Sequence, residues 1–446
     1  MQSDFVRSHR NATALVARFD SLDASGMAVG SLVGEKAAPV RAFGVLVGEE
    51  ARVQVVRRQR GVLLTEPVEL LVASPERVPP RETHYLSCSP WQVMAYDTQV
   101  AAKMSILENL FSQAAGRKIR LNGFHRSRQE FGYRSKLEFS FTEKDGTLRL
   151  AFFRRFSPFR KIALEEGCAL GTEAMNAAAK EVVAHLNAAR LPAPWLKSLV
   201  VRQSRTSGDV VTVLFVHGED FPLREFPLAR SSGFVLAASR PESPASVIVK
   251  ILHQQGRVEL EEEIAGLRLV YPFDAFFQNH VELFALALGR IRNHVPPVDR
   301  IVELYAGVGA IGLALCDRAR NVLAVESAMS AVRYAQRNAL QLATRPYEIV
   351  QGAAERIGVE RLRSADVLLL DPPRTGLHPK LLNKILEARP PRILYLSCNP
   401  IQQAREFTQL RETYELVALE GFDFYPQTPH IEALLVLERR AGAVAA

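Results

Sequence analysis

The chain has 446 residues, of which 48% are hydrophobic and 23% charged, so it is long enough for roughly two or three domains that each bury a core. No stretch reaches the ~18 consecutive apolar residues of a membrane helix, and the first four residues, Met-Gln-Ser-Asp, lack a signal-peptide pattern. The four cysteines are too few and too scattered for a disulfide framework. We therefore expect a cytoplasmic protein with no membrane partner and no obligate protein partner.

The net charge of +8 is unevenly distributed. Residues 117–161 contain thirteen Lys or Arg against four Asp or Glu, together with nine aromatic residues. Basic side chains alternating with aromatic ones suit phosphate contact and base stacking, which favours a nucleic-acid partner. A half-buried sheet with Phe inward and Arg outward produces the same pattern, and for any single residue the two interpretations have equal weight.

The N-terminal residues 1–72 have the character of a separate unit. Short strand-like runs, such as 42–48 and 52–57, are broken by glycines at positions 26, 30, 34 and 61, which is typical of a small β-barrel. Pro-rich residues 75–80 follow as a linker, and residues 96–111 are predicted to form a helix. The linker opens a central α+β domain, predicted over residues 73–268, that contains the basic segment.

In the C-terminal part, an apolar strand at 300–304 runs into a glycine-rich turn, and the pattern predicts a helix over residues 310–319. Such a turn lets the backbone approach a ligand closely. The next strand, 321–325, ends on Glu326, fourteen residues after Gly312. A carboxylate there can accept hydrogen bonds from the ribose of NAD or of S-adenosylmethionine (SAM), so its position alone does not choose between the two.

Two further strands end on polar residues. Residues 365–370 lead into Asp371-Pro-Pro-Arg, and residues 393–397 lead into Cys398 at the mouth of a helix with Asn399 as N-cap and Pro400 at its first position. We expect the positive helix end to favour the thiolate of Cys398. A buried cysteine is also a common core residue. A dehydrogenase needs no cysteine nucleophile after a Pro-Pro turn, whereas methyl transfer to an electron-poor ring needs a donor site and a thiolate.

Glu432 opens the last apolar strand pattern, at residues 432–437. A carboxylate at the beginning of such a strand is a candidate general base. The alternative for Glu432 is a solvated charge at a strand end.

Five motifs now stand in order along the chain: Phe-Phe-Gln-Asn at 276–279, Glu-Leu-Tyr-Ala-Gly-Val-Gly at 303–309, Asp-Pro-Pro-Arg at 371–374, Ser-Cys-Asn-Pro at 397–400 and His-Ile-Glu at 430–432. With them the chain resembles, over nearly its whole length, the RNA uracil-C5 methyltransferase family, which makes 5-methyluridine in tRNA or rRNA. Residues 22–30 are more loosely similar to the start of a TRAM domain, the OB-like RNA-binding unit of many members.

The resemblance implies a multidomain fold: an N-terminal OB-like TRAM barrel, a central α+β RNA-binding domain, and a C-terminal α/β Rossmann-like class I methyltransferase domain over residues 269–446. It also implies site residues. Cys398 would be the nucleophile and Glu432 the base. The residues that would contact SAM are Gln278, Tyr305, Gly307, Gly309, Glu326 and Asp371, of which Gln278 and Tyr305 have packing or capping as an alternative role. Predicted RNA contacts are Arg134, Lys136, Arg154 and Arg155.

The cysteines depart from part of this family. Many members that act on rRNA hold an iron-sulphur cluster on three closely spaced cysteines and a fourth further on, and here only Cys88 and Cys168 lie in comparable regions. Two thiolates do not complete a four-ligand cluster. We therefore predict no cluster and interpret Cys88 and Cys168 as residual core cysteines.

Two other classes of function remain open at this point. A methyltransferase of the same fold could act on cytosine C5 or on an amino group, although an amino-methylating enzyme has no need of Cys398 or Glu432. A non-catalytic RNA-binding protein is disfavoured by the presence of Asp371, Cys398 and Glu432 together. The sequence does not distinguish an rRNA substrate from a tRNA substrate.

Overall fold

The computed structural model describes residues 15–34, 38–157, 159–240, 242–243 and 245–442. The residues on which the signal-peptide argument rests lie outside this part of the chain. In the described part, no helix is both long and apolar enough to cross a membrane.

The N-terminal unit is a closed five-stranded barrel in the order β1-β2-β3-β5-β4. Its strands are β1 (Leu15–Leu22), β2 (Ala28–Leu32), β3 (Pro39–Ala42), β4 (Glu50–Gln59) and β5 (Val62–Val72). The predicted OB-like barrel is thus confirmed, and the predicted strand at 52–57 lies within β4. The predicted strand at 42–48 is wrong: Gly44 and Gly48 take left-handed φ angles of +82° and +87°, which a strand does not contain.

After the linker come a short helix, α1 (Tyr85–Cys88), and a long helix, α2 (Tyr96–Ala115). Helix α2 is four residues longer than the prediction and ends at Gly116, which has a left-handed conformation. A short strand, β6 (Gly123–His125), follows. The central sheet then has the order β13-β12-β11-β10-β7-β8-β9. Its elements are β7 (Lys136–Lys144), β8 (Thr147–Phe153), β9 (Lys161–Ala163), α3 (Glu173–Ala188), β10 (Leu196–Gln203), β11 (Val210–His217), β12 (Gly233–Ser239) and β13 (Ile248–Gly256).

The C-terminal domain begins with a hairpin and continues as alternating helices and strands. Its elements are β14 (Glu259–Ile264), β15 (Leu267–Pro272), α4 (Val281–Asn293), β16 (Val298–Leu304), α5 (Ala310–Ala314), β17 (Ala319–Glu326), α6 (Met329–Leu342), β18 (Tyr347–Gln351), α7 (Val359–Arg363), β19 (Val367–Leu370), α8 (Pro379–Ala388), β20 (Arg392–Ser397), α9 (Pro400–Leu410), β21 (Tyr414–Phe422) and β22 (Glu432–Arg439). The predicted helix over 310–319 ends early because Ala319 already pairs with Val298 in the sheet.

The sheet of this domain has the order β18-β17-β16-β19-β20-β22-β21-β6. Strands β16 to β20 are parallel, and β22 lies antiparallel between β20 and β21. Strand order reverses between β16 and β19, and ligands of open α/β sheets bind at the carboxyl ends of the strands at such a switch point. Apolar clusters cover both faces of the sheet.

The predicted domain boundaries need correction. The boundary at 268/269 falls inside β15, and the hairpin β14–β15 belongs to the C-terminal core, where Leu260, Leu269 and Tyr271 are buried. Residues 96–125 also leave the central domain. Strand β6 pairs with β21, and Phe111 of α2 packs against Phe407 of α9 with ring centroids 6.2 Å apart. Their apolar side chains find their burial in the C-terminal domain.

A buried ion pair fixes α2 to the C-terminal domain. Lys103 and Asp423 are both fully buried, with Nζ donating to Asp423 Oδ1 at 2.5 Å and to the Tyr425 carbonyl at 3.1 Å. The Tyr96 hydroxyl donates to the other oxygen of Asp423 at 3.0 Å. Removing one member of such a pair leaves an uncompensated charge in the interior.

We predict that Lys103→Met lowers the free energy of unfolding by about 3–5 kcal/mol, because Asp423 then stays buried without its cation. Urea denaturation followed by circular dichroism measures the change. The control is Lys250→Met, which breaks an exposed ion pair with Glu219 and is expected to have little effect. Equal effects of the two substitutions would contradict the role given to Lys103.

Candidate active site

Strand register brings three of the predicted residues to one edge of the sheet. Leu304 pairs with Val325 on one side and with Leu370 on the other. The residues that follow these three are Tyr305, Glu326 and Asp371, so all three lie in one row at the carboxyl ends of β16, β17 and β19. This row flanks the switch point between β16 and β19.

The glycine-rich turn after β16 is held by Glu326. Tyr305, Gly307 and Gly309 all have positive φ angles, of 65°, 56° and 88°. The Gly307 amide donates to Glu326 Oε2 at 2.9 Å, and the Ala328 amide donates to Oε1 at 2.7 Å. The carboxylate therefore joins the turn to the end of β17 and keeps the turn open toward the sheet edge.

A second carboxyl group, Glu303, supports the same turn from inside and was not assigned a role from the sequence. It accepts hydrogen bonds from the Gly312 amide at 3.1 Å and from the Tyr347 hydroxyl at 3.2 Å. Burial raises its pKa to about 8. A Cβ on Gly312 would lie 2.2 Å from Glu303 Oε2, so only glycine fits there. An acidic residue inside an otherwise apolar strand was the available signal.

Gln278 lies beside Asp371. Its side chain is buried, and Nε2 donates to Asp371 Oδ2 at 3.4 Å, while Oε1 has no hydrogen-bond partner in the described part of the chain. The Ser135 hydroxyl donates to the Gln278 carbonyl at 3.1 Å and fixes its backbone. Burial raises the pKa of Asp371 to about 7. The pair thus offers an amide oxygen and a titratable carboxyl group at the switch point.

Cys398 and Glu432 face each other across two strands. Ser397 of β20 pairs with Ala433 of the antiparallel β22, so the next residue along each strand, Cys398 and Glu432, meets the other at the sheet edge. Glu432 is fully buried, and neither of its carboxyl oxygens has a hydrogen-bond partner among the described residues. Burial, with the nearby Asp371 charge, raises its pKa well above the usual value. Buried carboxyl groups without partners are rare outside functional sites.

The protonation state of Cys398 differs from the sequence-based expectation. Asn399 caps α9, accepting from the Gln402 amide at 3.3 Å, and Pro400 is the first helical residue, as predicted. Burial nevertheless raises the pKa of the Cys398 thiol to about 11; Glu432 and Asp371 add to the rise and Arg374 opposes it. Burial and two carboxyl groups outweigh the helix end, so the predicted resting thiolate is wrong. Arg374, given no role from the sequence, is the cation that favours it.

The predicted RNA contacts are placed differently from one another. Lys136 is half-exposed and pairs with Glu138 at 3.6 Å, and Arg154 is partly exposed. Arg155 donates from Nε to the Leu86 carbonyl at 2.6 Å and stacks 4.6 Å above the Phe43 ring of the barrel unit. Arg134 has a buried Nε without a hydrogen-bond partner among the described residues. The side chains of Arg134 and Arg155 therefore point toward the interior, where they contact other segments of the chain.

The aromatic residues of the basic segment divide into two groups. Tyr133, Phe139 and Phe141 are buried in the core of the central sheet. Phe153 and Phe159 are exposed, with 48% and 92% of their surface accessible. The inward-facing interpretation thus holds for the first group, and the second leaves apolar rings on the surface beside basic residues.

We predict opposite effects of two substitutions on the alkylation of Cys398. Arg374→Gln removes the cation that lowers the thiol pKa, so alkylation slows. Glu432→Gln removes a carboxyl group that raises the thiol pKa once it is ionised, so alkylation accelerates at the alkaline end of the pH series and changes little where burial favours the neutral carboxyl group. Each unit of pKa changes the thiolate fraction about tenfold below the midpoint. The measurement is the iodoacetamide reaction rate of the Cys398 peptide by mass spectrometry, across a pH series.

The control for this experiment is Arg363→Gln, which removes an exposed arginine of α7 that pairs with Glu360. It is expected to leave the rate unchanged. A faster reaction in Arg374→Gln, or a slower one in Glu432→Gln, would contradict the charge arrangement described for the site.

A parallel sheet with one antiparallel strand, β22, inserted between β20 and β21, and with a glycine turn and a carboxylate at the switch point, defines a class I methyltransferase domain. The same architecture occurs in the crystal structure of Pyrococcus abyssi tRNA (uracil-54, C5)-methyltransferase in complex with S-adenosyl-L-homocysteine. That structure superposes with a TM-score of 0.74 at 21% identity and covers 95% of this chain and 100% of its own.

The family model described as tRNA (Uracil-5-)-methyltransferase matches residues 246–440. Two relatives align over most of the chain. An uncharacterised RNA methyltransferase of Caldanaerobacter subterraneus is 26% identical and covers 95% of this chain and 98% of its own; one of Thermotoga maritima is 28% identical and covers 88% and 92%. Residues 246–440 are thus similar to uracil-C5 methyltransferases, and the chain is an RNA methyltransferase that uses SAM as methyl donor.

Proposed function

We propose that this enzyme methylates carbon 5 of a uridine in structured tRNA or rRNA through a covalent bond between Cys398 Sγ and carbon 6. The observation that carries the proposal is the pair of Cys398 and an unpartnered, fully buried Glu432 on neighbouring strands, next to Asp371. A nucleophile and a base at one sheet edge match the two tasks that this substitution requires.

The residues proposed to hold SAM surround the switch point. Tyr305, Gly307 and Gly309 form the turn, Glu326 anchors it, and Gln278 with Asp371 closes the site on the side of β19. When bound, SAM supplies an electrophilic methyl group on a sulfonium cation. The turn's positive φ angles leave backbone groups close to the ligand, and the free Oε1 of Gln278 can accept a hydrogen bond.

The nucleophilic step begins at Cys398. Its thiol releases a proton to solvent, with Arg374 stabilising the sulfur charge, and the thiolate adds to carbon 6 of the uracil. The electron pair of the carbon 5–carbon 6 double bond moves to the carbonyl oxygen at carbon 4, which gives an enolate. Carbon 5 would then be nucleophilic and would take the methyl group of bound SAM, while the carbonyl at carbon 4 forms again and S-adenosylhomocysteine leaves.

Glu432 completes the reaction. Burial raises the pKa of its carboxyl group, which favours the neutral form in the free enzyme. The positive charge of bound SAM near Asp371 would favour the ionised form, with the proton passing to solvent. The carboxylate removes the remaining proton from carbon 5, the double bond forms again, and the bond between carbon 6 and Cys398 breaks. The residue is then protonated, as it is at rest.

We predict that Cys398→Ala abolishes 5-methyluridine formation and leaves SAM binding nearly unchanged, because the thiol acts on the RNA base and not on the donor. Glu432→Gln should form the methylated adduct and then stall, since the proton on carbon 5 cannot leave. The measurements are nucleoside mass analysis after incubation with methyl-labelled SAM and unmodified RNA, and detection of a denaturant-resistant protein–RNA band.

The double variant Cys398→Ala/Glu432→Gln is the control and should give no such band. Turnover by Cys398→Ala would refute the covalent route. Labelled 5-methylcytidine or a methylated amine in place of 5-methyluridine would move the enzyme to a sister class of the same fold.

The RNA surface we propose centres on the exposed rings of the central domain, Phe153 and Phe159, with Lys136 and Arg154 nearby in sequence. Aromatic side chains on a basic surface stack on bases while the cations contact phosphates. Phe159 is the most exposed of these rings, at 92%. Nothing in the described fold requires an apolar ring at that position.

We predict that Phe159→Ala weakens RNA binding by about 1–3 kcal/mol, roughly 5- to 150-fold, because one stacked base loses its partner. Fluorescence anisotropy with labelled RNA at fixed salt measures it. Leu340→Ala on α6, where the side chain is 90% exposed, is the matched control and should have no effect. Unchanged affinity for Phe159→Ala would remove this surface from the RNA site.

A further inference from the structure

Four side chains that can bind a metal lie together away from the active site. Glu82 and His84 lie between the linker and α1, Cys88 is the last residue of α1, and Cys168 lies in the loop before α3. One ligand atom from each lies within 4.8 Å of all the others. We call this group the thiol cluster. As predicted, Cys168 lies in the apolar core of the central domain and Cys88 packs against it. The fold also brings both thiols close to Glu82 and His84, which the sequence did not indicate.

The donor set excludes the iron-sulphur cluster found in part of the family. Such a cluster takes four ligands, usually four thiolates, and the thiol cluster supplies two thiols, one imidazole and one carboxylate. Two sulfurs, a nitrogen and an oxygen instead suit one ion of borderline softness in a tetrahedral site, for which zinc is the usual occupant.

The geometry approaches that of a tetrahedral centre. His84 Nε2 lies 3.2 Å from Glu82 Oε1, close to the separation of about 3.3 Å expected for two ligands each ~2.0–2.1 Å from one zinc ion. His84 is buried, and this nitrogen makes no hydrogen bond within the described part of the chain, since the contact with Glu82 lacks suitable geometry. This buried nitrogen thus lies within 4.8 Å of a ligand atom of each of the two thiols and of the carboxylate.

Surrounding groups orient three of the four ligands, Glu82, His84 and Cys168. The Ala169 amide donates to Glu82 Oε1 at 2.5 Å and the Gln92 side chain to Oε2 at 3.0 Å. The His84 ring packs against Phe152 with centroids 5.5 Å apart. Asn176 brackets Cys168, accepting from its amide at 2.9 Å and donating to its carbonyl at 3.0 Å. Partners of this kind are typical of the outer shell of a metal site.

Charge balance points the same way. A zinc ion with two thiolates, one carboxylate and a neutral imidazole carries a net charge of −1. The guanidinium group of Arg134 is near enough to both sulfurs, and that of Arg155 to the Cys88 sulfur, for their charges to interact. Each of these two arginines then has an anionic partner. Without it, Arg134 Nε makes no hydrogen bond within the described residues.

We propose that Glu82, His84, Cys88 and Cys168 bind one Zn²⁺ ion, which fastens the linker between the barrel and α2 to the central domain. The inference does not depend on the catalytic mechanism. Without the ion, the two segments share the hydrogen bond from Ala169 to Glu82, whereas four metal bonds fix their relative position.

The test measures zinc in the full-length protein, expressed with added zinc and freed of any purification tag. Plasma mass spectrometry is expected to find about one zinc per chain. The double variant Cys88→Ser/Cys168→Ser should lose it. The controls Cys316→Ser and Cys398→Ala, which remove the other two thiols, should retain it, and retention in Cys398→Ala separates this site from the active site.

A second measurement covers the case in which the double variant does not fold. Wild-type protein stripped by a chelator and titrated with Co²⁺ should develop thiolate-to-cobalt charge-transfer absorption and the visible bands of a tetrahedral site, and should regain its thermal midpoint. His84→Gln and Glu82→Gln should weaken both signals. Absence of metal, several irons per chain, zinc retained by the double variant, or a Cys88–Cys168 disulfide in freshly reduced protein would each overturn the proposal.

Discussion

The antiparallel register of β22 against β20 is the constraint on which the active site depends. With Ser397 opposite Ala433, Cys398 and Glu432 are the first residues beyond the paired rows. A shift of one residue would turn every side chain of β22 to the opposite face and move Glu432 out of register with Cys398. Ala433, Leu435 and Leu437 pack in the core on one face and Leu434 and Val436 in the core on the other, so both cores would have to repack. The hydrophobic core on both sides of the sheet therefore holds Cys398 and Glu432 in their relative positions.

The same burial sets the electrostatics of the site. Asp371, Cys398 and Glu432 lie in an interior where negative charge is unfavourable, and the pKa of each is raised. Burial therefore favours the neutral forms of these three groups in the free enzyme, while Arg374 beside them favours negative charge. Because the buried carboxyl group of Glu432 has no hydrogen-bond partner in the described residues, the fold is less stable than it would be with this group fully hydrogen-bonded.

Much of this could be predicted from the sequence because strand ends carry strong local signals. Glu326, Asp371, Cys398 and Glu432 each follow or open an apolar run, and the sheet topology of an α/β domain collects such positions at one edge. The N-cap at Asn399 followed from local chemistry alone. Spacing in sequence contains no information about burial, so neither the raised pKa of Cys398 nor the supporting pair Glu303 and Tyr347 was predictable.

Contacts between distant segments were the other blind point. The domain boundary at 268 failed because the hairpin β14–β15 has an alternating pattern that fits either neighbour, and only packing on α4 and α6 decides. Arg134 and Arg155 looked like surface cations because a basic side chain whose head is held by the interior has the same sequence pattern. Cys88 and Cys168 are 80 residues apart in the sequence, and only the folded chain makes them neighbours.

Strand β6 has a consequence for the order in which the molecule is made. Gly123 and His125 pair with Glu420 and Phe422 of β21, and Lys103 pairs with Asp423. Because these partners are synthesised about 300 residues later, the segment 96–125 contacts them only after nearly the whole chain has left the ribosome. Contacts between residues so far apart in sequence form slowly. During synthesis, the apolar face of α2 is therefore exposed until the C-terminal domain forms. The N-terminal barrel and the central sheet can fold before that.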